Sequence, residues 1–573
     1  MEWDLSGLYQ DFGEEYQNDL KKLESLVKDM SCWTPTGDIK DSIEDYLTKD
    51  IKIATLLDKL YQFADLTYST DTDNADALKF FTQIEKISDA RTAPTVRFQR
   101  WLASVDIKIT NHDPSLISEH GFILQEMKEG AGSLLSEEEE TVLSIMKNTG
   151  SIAWLRMMQD LTSHLMVDYG GEKISLPDVR NLAYDADPSV RKKAYEAELF
   201  AYPMIERAVA ASLNSIKGEV ISEAKMRGFD SPLEQTVAES RMNMKTLDAL
   251  LAAIDRSLPD LRRYHKHKAK KLGKTKLPYF DLFAPLGESA KIFGFDEAKE
   301  YIVQLFAGFS QELSDFAKNA FDNRWLDVFP REGKIGGGFC AYIHSIRESR
   351  ILVNFTGTYS DVMTLSHELG HAYHGQQLKD ESILNTEYPM TLAETASIFC
   401  ESILAEAAIK NATDDKLFLL DQRVGDEVYT IIDIYSRYLF ETEIFRRRAE
   451  GLVSAEDCCS IMEEAQKKVY GDALDHGILH PYMWACKDHY YDADYNFYNF
   501  PYAFGQLFSN ALFSQYKKEG SLFVPKYNAL LKVAGKMAVE DVGKQAGIDL
   551  HDPDFWQSGI DDIVKEIDEF EKL

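Results

Sequence analysis

The chain has 573 residues, 45% hydrophobic and 28% charged, a globular composition with ample apolar material for a core, which excludes disorder as its general state. A formal net charge of −32 argues against nucleic acid or an anionic membrane as a partner, and no uncharged apolar run approaches the roughly 18 residues of a membrane span. The six cysteines form no CxxC pair, and the opening MEWDLSGLYQDFGEEYQ lacks the basic start and apolar stretch of a signal peptide, so the expected location is the cytoplasm.

Helical periodicity dominates the first 200 residues, where breakers at Thr34–Gly37, Tyr169–Gly171 and Asp187–Pro188 separate short helical blocks. A soft boundary between Tyr169 and Pro203 divides a helical N-terminal region, 1–200, from a second region, 201–573, that holds the chemistry. Leu247–Ile254 is again helical, and the basic run Arg262–Lys276 reads as a solvated helix face in preference to a polyanion site. After Asp296, read as an N-cap, Ile302, Leu305, Phe306, Phe309, Leu313 and Phe316 recur every three or four residues as one helix face does. From Gly336 to Gly357 the pattern changes. β-Branched and aromatic residues flank a polar turn at Arg347–Ser349, which predicts a β-hairpin. Its leading glycines lack the Gly-Lys-Ser/Thr ending of a phosphate loop and read as a flexible approach to a strand.

The next segment, TLSHELGHAYHGQQ, Thr364–Gln377, contains HExxH. On a helix, His367 and His371 lie about 40° apart around the axis and about 6 Å apart along it, so both imidazoles reach one zinc. Glu368, about 100° further round, cannot share their coordination but can reach a water beside the metal. Gly370, a poor helix former, fits a place where something must approach the helix backbone closely. A buried helix that merely carries histidines is the competing reading, and a third ligand would decide. The long form HExxHxxGxxH fails, because His374 and Gln377 occupy its glycine and last histidine positions.

A carboxylate further on is therefore expected, within Thr391–Glu406. Glu394 and Glu401 are two helical turns apart and share a face, so one could bind the metal while the other hydrogen-bonds a ligating histidine. Thr391 and Glu394 also have the spacing of a capping box, which would give Glu394 a purely structural task. Finally His480–Gly505 is loaded with tyrosine, whose hydroxyl suits an oxyanion; an aromatic core is the plainer account. Pro501 and Gly505 suggest a bend there and not an uninterrupted helix.

HELGHAYH at His367–His374, AETASIFCE at Ala393–Glu401, DYNFYNFPYAFG at Asp494–Gly505 and the opening MEWDLSGLYQDF together resemble the thimet oligopeptidase/oligoendopeptidase F family of zinc metallopeptidases, in particular its oligoendopeptidase F branch. The resemblance covers almost the whole chain. It implies a mainly α, two-lobed body with a deep central channel and a small β-sheet beside the zinc. It further implies one Zn2+ held by His367, His371 and Glu394, Glu368 as general base, and Glu401 as a carboxylate behind a ligand. His489 with Tyr495, Tyr498 and Tyr502 match positions that grip the substrate and its oxyanion. Gly337, Gly338, Phe339 and Cys340 match a strand that pairs with an extended peptide. The implied activity is internal cleavage of short unstructured peptides. An exopeptidase or a zinc-containing protein that binds peptides without cutting them are the alternatives; oligomeric state is not implied.

Overall fold

The computed structural model describes residues 1–107, 115–287, 291–412 and 414–573. Helix accounts for 70% of it, with only small sheets and no closed barrel, so the expected mainly α fold with a small sheet is borne out. Among the described residues, no helix is long and apolar enough to cross a membrane.

The chain packs into two compact units, each assembled from three segments. The first comprises Met1–Leu134, Lys291–Ala407 and Gln515–Ile548; the second comprises Leu135–Ala290, Ala408–Ser514 and Asp549–Leu573. These boundaries differ from a division at residue 200, because distant segments share cores. In the first unit, Ile343 and Leu352 of the central hairpin belong to the same apolar cluster as Tyr16, Leu23, Tyr46 and Phe63 of the N-terminal helices. The longest of those helices, Ile39–Thr70, begins where the Asp38 carboxylate accepts from the backbone N–H groups of Lys40 and Asp41.

The sheet of the first unit has three strands, Leu326–Asp327, Phe339–Ile343 and Glu348–Leu352, with the last in the middle. Phe339 pairs with Leu352 and Ile343 with Glu348 in antiparallel register, while Leu326 runs parallel to Ile351. Phe339–Ile343 is therefore an edge strand. The hairpin turn sits earlier than expected, at His344–Arg347. Glu348 and Ser349 are already paired with Ile343 and Tyr342, and Arg347 takes the positive φ (55°) that lets the chain reverse. The helical face after Asp296 is likewise two helices, Phe295–Phe309 and Gln311–Asp322. Asp296 lies in the first turn after Gly294, and the Ser310 hydroxyl caps the second helix by accepting from Leu313 N–H.

In the second unit, the basic run lies largely on the helix Met244–Lys271, where internal carboxylates meet it. Arg263 pairs with Asp568 and Glu571, Lys266 with Asp472, and Lys268 with Asp421. That pairing goes beyond the simple solvation expected of the run.

Candidate active site

The helix Tyr359–Gln377 carries the HExxH motif and is fixed at its start by a capping box between Thr358 and Asp361. The Asp361 carboxylate also accepts from the Thr356 hydroxyl and N–H, both at 2.8 Å, and from Thr358 N–H at 3.0 Å; burial raises its pKa, but these donors outweigh it and hold it below the usual carboxylate range. Leu365, Leu369 and Ala372 are fully buried and seat the helix in the unit. His374 serves the packing as well. It stacks on Tyr388 at 4.1 Å, and burial pushes its pKa down to about 3, so its imidazole is neutral.

Gly370 faces the backbone of the segment that carries the carboxylates. A Cβ there would stand 2.5 Å from the Ala396 carbonyl oxygen and 2.6 Å from Ser397 Cα. Only glycine admits that approach, and the approach brings Glu394 to the histidines. Glu394 sits at the break between Met390–Ala393 and Thr395–Asn411. Thr391 is inside the short first helix, which Pro389 precedes as N-cap, so the capping-box role for Glu394 is not what forms. Instead, Glu394 Oε2 lies 3.3 Å from His367 Nε2 and 3.5 Å from His371 Nε2, and accepts from Ser397 Oγ at 2.8 Å. The two Nε2 atoms are 3.1 Å apart. On the far side of His367, Nδ1 donates to Glu401 Oε1.

These spacings can be tested against a metal. Ligands about 2.05 Å from a tetrahedral zinc sit about 3.3 Å from one another, and the three separations here are 3.1, 3.3 and 3.5 Å. The chemistry agrees, since two imidazole nitrogens and a carboxylate oxygen converge on one point. Burial lowers the pKa of His367, but the hydrogen bonds and charges of Glu394 and Glu401 outweigh it and raise it to about 11. A proton thus supplies the positive charge that this donor set demands when no cation is bound; a divalent cation would supply it instead and release the proton. The residues fit zinc.

Glu368 lies beside the cluster, 6% exposed, with burial raising its pKa above the ordinary carboxylate value. A Cβ on Gly338 would lie 3.4 Å from Glu368 Oε1, so the exposed glycines Gly336–Gly338 run past this carboxylate into the edge strand. Asn354 pins that approach, its Nδ2 donating to the carbonyls of Ile335 and Gly337 at 3.0 and 2.9 Å.

His489 and the tyrosines belong to the second unit. His489, in the one-turn helix Asp488–Tyr491, lies 4.9 Å from the Tyr498 ring and 6.1 Å from that of Tyr502. Tyr495 stands at the rim of this cluster, 62% exposed. Pro501 and Gly505 make no bend: the helix Phe500–Glu519 runs through both, because proline in a first turn removes no intrahelical hydrogen bond. The loop before it rests on a buried pair that the sequence did not signal. Glu441 accepts from Lys217 Nζ at 2.7 Å, Asn499 Nδ2 at 2.8 Å and Phe497 N–H at 3.2 Å.

Residues 181–562 match the model of Peptidase family M3. The chain belongs to this family. Full-length similarity places it with the oligoendopeptidase F branch: it is 27% identical to an oligoendopeptidase F homolog of Lactococcus lactis, covering 100% of this chain and 97% of that one. It is 26% identical to the oligopeptidase PepF of Bacillus subtilis, over 100% and 87% of the two chains. Among solved structures, a putative peptidase from Chlamydophila abortus shares the fold of this M3 peptidase, with a TM-score of 0.87 at 22% identity over 100% and 98%. The oligoendopeptidase-F from Enterococcus faecium shares it at a TM-score of 0.71 and 20% identity over 97% and 98%.

Proposed function

We propose that this M3 peptidase is a zinc endopeptidase that hydrolyses internal bonds of short, unstructured peptides. The observation that carries the reading is the tetrahedral spacing of the donor atoms of His367, His371 and Glu394, with Glu368 beside them. The oligopeptide preference rests on the names of the full-length relatives.

His367, His371 and Glu394 would hold the zinc, and Glu401 would orient His367 and strengthen it as a ligand. When bound, the zinc supplies a Lewis acid that lowers the pKa of a water toward about 7 and polarises the scissile carbonyl. Glu368 takes the proton of the attacking water and delivers it to the leaving amine. Its burial suits both halves of that task, because a raised pKa makes the carboxylate a stronger base and eases its protonation. The edge strand, led by Gly337, Gly338, Phe339 and Cys340, pairs with the backbone of an extended peptide, a mode that favours unstructured substrates. His489, Tyr495, Tyr498 and Tyr502 are proposed as the source of donors to the substrate and its oxyanion, on the resemblance and on the chemistry of their own cluster.

Incubation with a quenched peptide blocked at both ends, with and without a chelator, tests the reading. Chelator-sensitive internal cleavage is expected, with Glu368→Gln keeping its zinc while kcat falls by about 10²–10⁴. Cleavage that starts only from a free terminus would make it an exopeptidase, binding without products would make it a peptide-sequestering protein, and full turnover in Glu368→Gln would overturn the base.

A further inference from the structure

The second unit contains a cavity of about 180 Å³ that shares no lining residue with the His367–His371–Glu394 cluster. Four charged side chains line it: Arg180, Arg191, Glu198 and Lys487. Arg191 is held by Asp281, through Nε at 2.9 Å and Nη2 at 2.8 Å, and Lys274, outside the lining, meets the other oxygen of the same carboxylate. Arg180 spends one nitrogen only. Its Nη1 meets Glu198 Oε1 at 2.9 Å, the Tyr202 hydroxyl at 3.3 Å and the Cys486 sulfur. Among the described residues, no hydrogen-bond partner stands opposite Arg180 Nε or Nη2, or opposite the Lys487 ammonium.

The remaining groups do not cancel this excess. Glu198 is taken up by Arg180, by Tyr202 at 2.7 Å and by His480 Nε2 at 3.2 Å. Asp433, which attracts Lys487 from a distance, is itself paired with Arg437 at 2.5 Å. Among its lining side chains the cavity thus presents one ammonium without a counter-ion and the two-N–H side of a guanidinium, in a protein whose formal net charge is −32. Burial, followed by the charge of Arg437, lowers the Lys487 pKa, as an ammonium without a counter-ion requires. Tyr195, Phe280, Phe283 and Tyr429 complete the wall with aromatic surface.

We infer that this cavity binds a small monocarboxylate with an aromatic or apolar body, its two oxygens on Arg180 Nε and Nη2 and its charge against Lys487. The fork matches the planar geometry of a carboxylate, and a lone unpaired ammonium on the lining suits a monoanion better than a phosphate. A free acylated amino acid and the C-terminus of a peptide carry the same group.

The test is calorimetric titration of the zinc-loaded full chain with N-acetylphenylalanine, its C-terminal amide, a blocked tetrapeptide ending in phenylalanine, and inorganic phosphate. The acid is expected to bind at least tenfold more tightly than the amide. Lys487→Gln should weaken the acid at least tenfold and leave the amide unchanged; Arg180→Lys, which keeps the charge facing Glu198 and loses the fork, should do the same and stands in if Lys487→Gln fails to fold. The affinity should survive chelation of the metal, which separates this cavity from a carboxylate bound at the zinc. Tighter binding of the tetrapeptide than of the acetylated amino acid would identify a peptide C-terminus as the occupant, and equal binding a free small acid. Equal affinity for acid and amide, loss of binding on chelation, binding of phosphate alone, indifference to both variants, or no binding at all would overturn the inference.

Discussion

Glu394 and Glu401 lie seven residues apart, and an unbroken helix would present them on one face; the break at Glu394 gives them different partners. Glu394 turns its Oε2 to both Nε2 atoms, while Glu401 meets His367 from behind at Nδ1. Their sequence spacing alone left open which of the two would face the metal, because it carries no sign of that break. The difference predicts separate losses. Glu401→Gln keeps the shape but removes the charge that orients His367, so zinc affinity should fall about 10–100-fold with the protein still folded. Competition with a chromogenic chelator measures this, and an unchanged affinity would reduce Glu401 to a packing residue.

At the scale of elements, the contact that matters is backbone against backbone. Gly370 lets the HExxH helix touch Ala396 and Ser397, and the sequence made that legible as a glycine where a helix prefers another residue. Gly370→Ala would push the two segments apart and draw Glu394 away from the imidazoles. The expected result is a modest loss of stability, about 1–3 kcal/mol from overpacking, with a loss of zinc affinity of at least tenfold; stability loss without weaker zinc would contradict it. The hairpin turn carries a second test. Asp58 of the helix Ile39–Thr70 accepts from Ser345 N–H at 3.4 Å, and burial raises its pKa from 3.8 to about 7. The native state therefore holds a proton there that the unfolded chain has released, and stability is lost as pH rises from about 4 to about 7. Asp58→Asn should raise the urea midpoint at pH 8, with the gain shrinking toward pH 5 by up to about 1.4 kcal/mol per pH unit. A gain independent of pH would exclude the titration.

Over the whole molecule, the mainly helical class and the hairpin followed by the HExxH helix were legible because each rests on local periodicity. What stayed hidden is non-local. The pair Lys217–Glu441, which supports the loop before Tyr498, joins residues 224 positions apart, and no local pattern announces it. The make-up of the two units escaped notice for the same reason, since each is assembled from three separated segments. Pro501 misled in the opposite direction: proline reads as a breaker unless one knows that it falls in a first turn. The central claim is that a single zinc is shared by His367, His371 and Glu394. Anomalous diffraction at the zinc edge from crystals of the zinc-loaded chain tests it most directly. The account predicts one peak about 2.0–2.2 Å from Nε2 of His367, Nε2 of His371 and a carboxylate oxygen of Glu394; a peak held by other residues, or full peptidase activity in crystals that show none, would contradict it.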